Sequence, residues 1–182
     1  MDEQVVASAT RRWLETFVVG MGLCPFAAAP LAAERVRVVV TEADDEEALL
    51  EALQAEIVLL DQQPQIETTL LIHPAVLQDF LAYNDFLDLA DALLVEGDRD
   101  GVYQVASFHP DYQFAGTAPN AAENYTNRSP YPMLHLLRET SVEKAVASGI
   151  DTNDVPVRNI QHMNELGEVE LARLLSACRE EG

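Results

Sequence analysis

Three short apolar runs alternate with two long helical ones, and this order constrains the chain more than any other feature. "RVRVVV" is β-branched and only partly alternating, which predicts a strand near 35–41. "ETTLLIHP" predicts a second near 67–73, and "GVYQVASFHP" a third near 102–109. Between the first two, "TEADDEEALLEALQAEIVLLDQQ" opens on acids that suit the positive end of a helix dipole. Leu49, Leu53, Ile57 and Leu60 then recur at helical spacing. Between the second and third, residues 75–96 carry Leu77, Phe80, Leu81, Leu87, Ala90 and Leu94 as an apolar face. Each helix is long enough to be a crossover, so the strands are expected to be mainly parallel. The expected fold class is α/β, a single compact domain over 1–182 with a small three-stranded sheet and flanking helices.

Around this frame, residues 3–19 read as a helix that "GMGLCPF" stops. A polar loop runs from Asp111 to Ser129, a helix is expected from about Pro132 to Ala147, and a final helical region reaches about Arg179. Loops of that length in compact proteins often carry function. Two of the strands end alike, in "LIHP" and "SFHP". Proline cannot donate to a ladder and closes each strand. In open parallel sheets ligands bind beyond the carboxyl ends of the strands, so His73 and His109 are expected at the edge where sites form. The plainer reading is that each His-Pro pair only terminates its strand.

Charge narrows the partners. With 11 basic and 31 acidic residues the formal net charge is −20. Such a field repels a phosphate backbone and an anionic membrane surface, so neither nucleic acid nor membrane is expected as a partner. No stretch approaches the roughly 20 apolar residues that span a bilayer. The acidic first residues lack the apolar core of a signal peptide. Two unlike cysteines, Cys24 and Cys178, form no disulfide framework, so a cytoplasmic, reducing setting is expected. The sequons at Asn124 and Asn127 are then chance. Nothing in the sequence sets the oligomeric state or names a cofactor.

Four blocks, "VVGMGLCPFA", "LAYNDFLDLADALL", "QVASFHPDYQFAGT" and "NYTNRSPYPMLHLLRE", followed by "VPVRNI" and "NELG", resemble domain-of-unknown-function family 1415, whose members are mainly bacterial. The resemblance covers nearly the whole chain. It implies a compact single-domain bacterial protein, and it brings no catalytic residues with it.

Candidate chemistry therefore rests on residue types. His109, Asp111, Tyr112, Asn124, Arg128, His135 and Arg138 crowd the region after the third strand. Arginine forks match carboxylate and phosphate, and His135 and Arg138, three apart on the expected helix, would share a face. Cys24, in its glycine-rich turn, would become a nucleophile if His109 or His73 lay beside it. Cys24, His73, His109, Asp111 and His135 are ligand types for zinc or iron, without the paired spacing of a metal motif. Asp85, Asp88 and Asp91 form an acidic ridge that reads best as a solvated helix face. Phosphate-loop, dinucleotide and common hydrolase motifs are absent. The leading expectation is a small enzyme acting on an anionic small molecule, with His109 as acid/base, Arg128 and Arg138 as the anion clamp and Cys24 as nucleophile. His73, His135, Asn124, Asp111 and Tyr112 would complete the ligand contacts. The alternative is a non-catalytic module that binds a metal, a metabolite or a protein partner.

Overall fold

The computed structural model describes residues 2–147 and 154–180. Four strands form one sheet: β1 (Val36–Val40), β2 (Thr68–Ile72), β3 (Tyr103–Phe108) and β4 (Met133–Arg138), in the order β1-β2-β4-β3. β1 and β2 are parallel, with Val36 opposite Thr68. β4 is antiparallel to both neighbours, and Met133 faces Ile72 on one side and Phe108 on the other. The three expected strands are present and run the same way, but the sheet is mixed because β4 lies between β2 and β3.

β4 is the main correction. Residues 132–147 were expected to be one helix, yet only Glu139–Ala147 is helical (α5). Met and Leu favour helices, and a strand buried on both faces shows no polar alternation to betray it. Pairing along both edges overrides the local preference. The same change moves His135 and Arg138 apart. Three residues along a strand, they point to opposite faces, whereas a helix would have aligned them.

Side-chain parity divides the core in two. Leu71, Leu134, Leu136 and Tyr103 face α3 (Glu46–Gln62) and α4 (Phe80–Glu96). Leu70, Ile72 and Met133 face α1 (Glu3–Trp13), the π-helical turn Leu14–Val19 that continues it, and α7 (Glu168–Arg179). A short helix, α2 (Ala28–Ala32), precedes β1. α6 (Asp154–Leu166) packs on the 3-10 turn Ala122–Thr126 and on α7. Asp45 caps α3 through the Ala48 amide, and Asp79 caps α4 through the amides of Leu81 and Ala82. α4 therefore starts at Phe80 rather than near 75. Leu81, expected on its apolar face, is 71% exposed.

At the carboxyl end of β3 the fully buried Tyr83 reaches the sheet from α4. Its hydroxyl donates to the Met133 carbonyl at 2.8 Å and accepts from the Phe108 amide at 3.0 Å. It thus bridges the last pair of the β3–β4 ladder. Burial raises the phenol's pKa, so it stays a neutral donor. Tyr83→Phe would strand a buried amide and a buried carbonyl. Urea denaturation of this variant is expected to show a loss of about 2 kcal/mol.

Candidate functional site

His73 and His109 stand at one edge, as the paired sequence endings implied, with no solvent-accessible surface. Their rings lie on the α4 face, 5.8 Å and 5.1 Å from the Tyr83 ring, centroid to centroid. The Asp111 amide donates to His109 Nδ1 at 3.0 Å, so the proton sits on Nε2, which donates to the Leu77 carbonyl at 3.2 Å. His73 Nδ1 donates to the Val76 carbonyl at 3.0 Å. Two imidazoles thus grip consecutive carbonyls of the turn before α4. The turn needs them, because Leu77 adopts φ 56°, a left-handed conformation that is costly for a bulky residue. With both ring nitrogens of His109 engaged, the arrangement places it as a staple. Among the described residues His73 Nε2 is a buried acceptor without a partner.

The expected arginine clamp is not assembled. Arg138 lies at the far end of β4. Its Nε and one terminal nitrogen donate to the Ile66 carbonyl, both at 3.1 Å, that terminal nitrogen also reaches the Leu60 carbonyl, and the other donates to the Tyr103 hydroxyl at 3.0 Å. It caps the carboxyl end of α3, where the last carbonyls need donors. Arg128 donates to the carbonyls of Tyr112 (3.1 Å) and Pro119 (2.6 Å) and lies 4.7 Å over the Tyr125 ring. Both forks are held by main-chain oxygens. His135 sits on the α1 side of the sheet, its Nε2 2.6 Å from Thr68 Oγ1. That hydroxyl donates to the Leu136 carbonyl, so His135 Nε2 carries the proton. The ring is densely surrounded although an edge of the residue reaches solvent, and desolvation lowers its pKa to about 4.

Asn124, fully buried, is the hub of the loop. Its Oδ1 accepts from the Phe114 amide at 3.1 Å and the Thr117 hydroxyl at 2.8 Å, and its Nδ2 donates to the Ala118 carbonyl at 2.9 Å. Asp111 is exposed, and the Tyr112 ring packs between Phe80 (5.1 Å) and Phe114 (5.0 Å). Asp85, Asp88 and Asp91 are all exposed.

Under this loop lies a cleft of about 590 Å³, on the face of the sheet opposite His73 and His109. Phe108 floors it, Phe114, Thr117, Glu123 and Asn127 come from the loop, and Leu23 and Cys24 from the turn after the π-helix. Pro156, Asn159 and Ile160 of α6 form the far wall. The cleft opens beyond the carboxyl end of β3, and of the expected site residues Cys24 lines it. Cys24 opens into it, half-buried, while His73 and His109 point to the other side, so the expected thiol–imidazole pair does not meet. Among the described residues no three His, Cys, Asp or Glu side chains group as metal ligands, so Cys24, His73, His109, Asp111 and His135 form no such set. Phe108, Phe114, Glu123 and Asn159 escape sequence reasoning. The aromatic spacing of "QVASFHPDYQF" was a signal for the first two, but α6 offered none for Asn159.

A family model described as "Protein of unknown function (DUF1415)" matches residues 5–173. No curated protein and no solved structure matches the chain.

Two outcomes follow from this geometry. Burial lowers His73 to about 4 from its ordinary 6.5. The unfolded chain takes up a proton near pH 6.5 that the native chain refuses until about pH 4. Stability is therefore full above pH 6.5 and falls as the pH drops towards 4, by up to about 1.4 kcal/mol per pH unit for one histidine. His135 and His109, both lowered by desolvation, add to the same trend. His73→Phe is expected to flatten the slope of unfolding free energy against pH. An unchanged slope would mean that His73 is not held neutral. Separately, Cys24 is half-buried and Cys178 is 3% exposed. A native chain should react with Ellman's reagent at one thiol quickly and at the second only in denaturant. Cys24→Ser should remove the fast phase.

Proposed function

The chain belongs to the DUF1415 family of proteins of unknown function, so no activity comes with its fold, and we propose that it is a small-molecule-binding protein whose ligand occupies the cleft beneath the loop from Asp111 to Ser129. The observation that carries this reading is the cleft itself. It has the size of a site for a small metabolite, a mostly apolar wall and a few polar groups, which is the usual make-up of such sites. Its position beyond the carboxyl end of β3, walled by a long loop with its own internal bonding, supports the same reading.

The enzyme reading rested on a histidine acid/base, an arginine clamp and an activated thiol. His73, His109 and both arginines hold carbonyls instead, and His73 and His109 lie on the face of the sheet away from Cys24. Binding without a built catalytic triad fits these positions better. The anionic ligand loses its clamp with the arginines. No helix among the described residues is long and apolar enough to cross a membrane, and two free thiols favour a reducing, cytoplasmic setting.

Nile red, a neutral dye that brightens in apolar surroundings, tests the reading. The full chain is expected to bind it saturably at one site. Ala115 is exposed at the mouth of the cleft, so Ala115→Phe narrows the opening without touching the core. This variant should bind the dye about tenfold more weakly, which corresponds to about 1.4 kcal/mol. Equal binding by the variant would place the dye elsewhere and overturn the assignment.

A further inference from the structure

The hydrogen-bonding groups in the cleft are unequal. Each hydroxyl and amide of the lining already donates at least one bond within the protein. Thr117 Oγ1 donates to Asn124 Oδ1 at 2.8 Å, and Thr126 Oγ1 to the Glu123 carbonyl at 2.9 Å. Asn127 Nδ2 donates to the Ser107 carbonyl at 3.1 Å, and Asn159 Nδ2 to the Leu23 carbonyl at 2.8 Å. Two acceptors remain open. Among the described residues the Glu123 carboxylate forms no side-chain hydrogen bond or ion pair, and Asn159 Oδ1 accepts from nothing. Glu123 is only partly exposed and sits on the 3-10 turn that Asn124 anchors, so its backbone is fixed. The nearest guanidinium in sequence, Arg128, is turned away to Tyr112 and Pro119.

We infer that the cleft takes an organic amine, an apolar or aromatic body carrying a protonated nitrogen that Glu123 and Asn159 receive. The inference rests on the cleft being the binding site. Phe108 and Phe114 offer the body an aromatic wall, and an ammonium group donates to the two open acceptors while meeting the one charged side chain of the lining. A carboxylate ligand would bring charge of the wrong sign to Glu123, within a chain of net charge −20.

The protein contains its own reporter. Trp13 is the sole tryptophan, and its ring meets Phe108 edge-on at 5.2 Å, so its emission responds to what lies on Phe108. Three matched probes, phenylbutylamine, phenylbutanol and phenylbutyrate, would be titrated into the full chain at neutral pH. The amine is expected to bind about fivefold or more tightly than the alcohol, and the acid more weakly than either. Glu123→Gln should bring the amine down to the alcohol and leave the alcohol unchanged. Added salt should erode the preference in the unsubstituted chain, which gives the same answer without any variant. If amine and alcohol bind alike, or if the preference survives Glu123→Gln, the amine assignment falls while the cleft stands. If none of the three binds but Nile red still does, the amine assignment falls alone. If Nile red also fails, both fall together.

Discussion

Three aromatic side chains on one face, His73, Tyr83 and His109, tie the ends of β2 and β3 to the start of α4. The two imidazoles hold the carbonyls of Val76 and Leu77, and the phenol holds the last rung between β3 and β4. Every other element at this edge is placed by that knot. The Pro132 carbonyl meets the His73 amide, and the Asn127 carbonyl meets the His109 amide, so β4 enters the sheet and the loop leaves it from fixed points. A buried neutral imidazole suits this work because it is small, flat and has one donor and one acceptor. The cost is sensitivity to acid, since a proton taken up by either imidazole would leave a charge buried away from water.

The second organising habit is the use of arginine on the main chain. Arg12 donates to the Cys178 carbonyl and Arg179 to that of Pro130, which pins α7 beside the segment before β4. Arg128 closes the loop, and Arg138 finishes α3. Guanidinium is well matched to this because it is weakly hydrated and its fork can serve two carbonyls at once. In a strongly acidic chain the effect is that several scarce cations lie along internal seams. The cleft keeps a bare carboxylate as a result.

Much of the frame was legible from the sequence because periodicity expresses it directly. β1, β2, β3, α3 and α4 follow from β-branched runs and from leucines at helical spacing. β4 was not legible, since "MLHLLR" is as apolar as a buried helix and its partners lie more than sixty residues away in β2 and about thirty in β3. Side-chain direction was lost with it. Phe108, which floors the cleft, and His109, which faces away, are neighbours in the chain, and the sequence marks the histidine as the more interesting of the two. Carbonyl acceptors leave no trace in a residue pattern, so arginines that serve them look like arginines awaiting a ligand. Glu123 and Asn159 are paired only by the docking of α6 on the 3-10 turn, a contact that no local rule encodes.

Asn124 has a consequence for how such a protein can change. Its side-chain amide bonds to Phe114, Thr117 and Ala118, and Arg128 holds Tyr112 and Pro119, so the loop keeps much of its path through two side chains behind it. Ala115, Gly116 and Asn120 are left on the outside, and of these Gly116, at φ 82°, is bound by its conformation. The mouth of the cleft is therefore open to drift while its frame is not. A lineage could re-letter the rim and shift what it admits in single steps, without passing through an unfolded intermediate, so long as Asn124 and Arg128 behind it are kept.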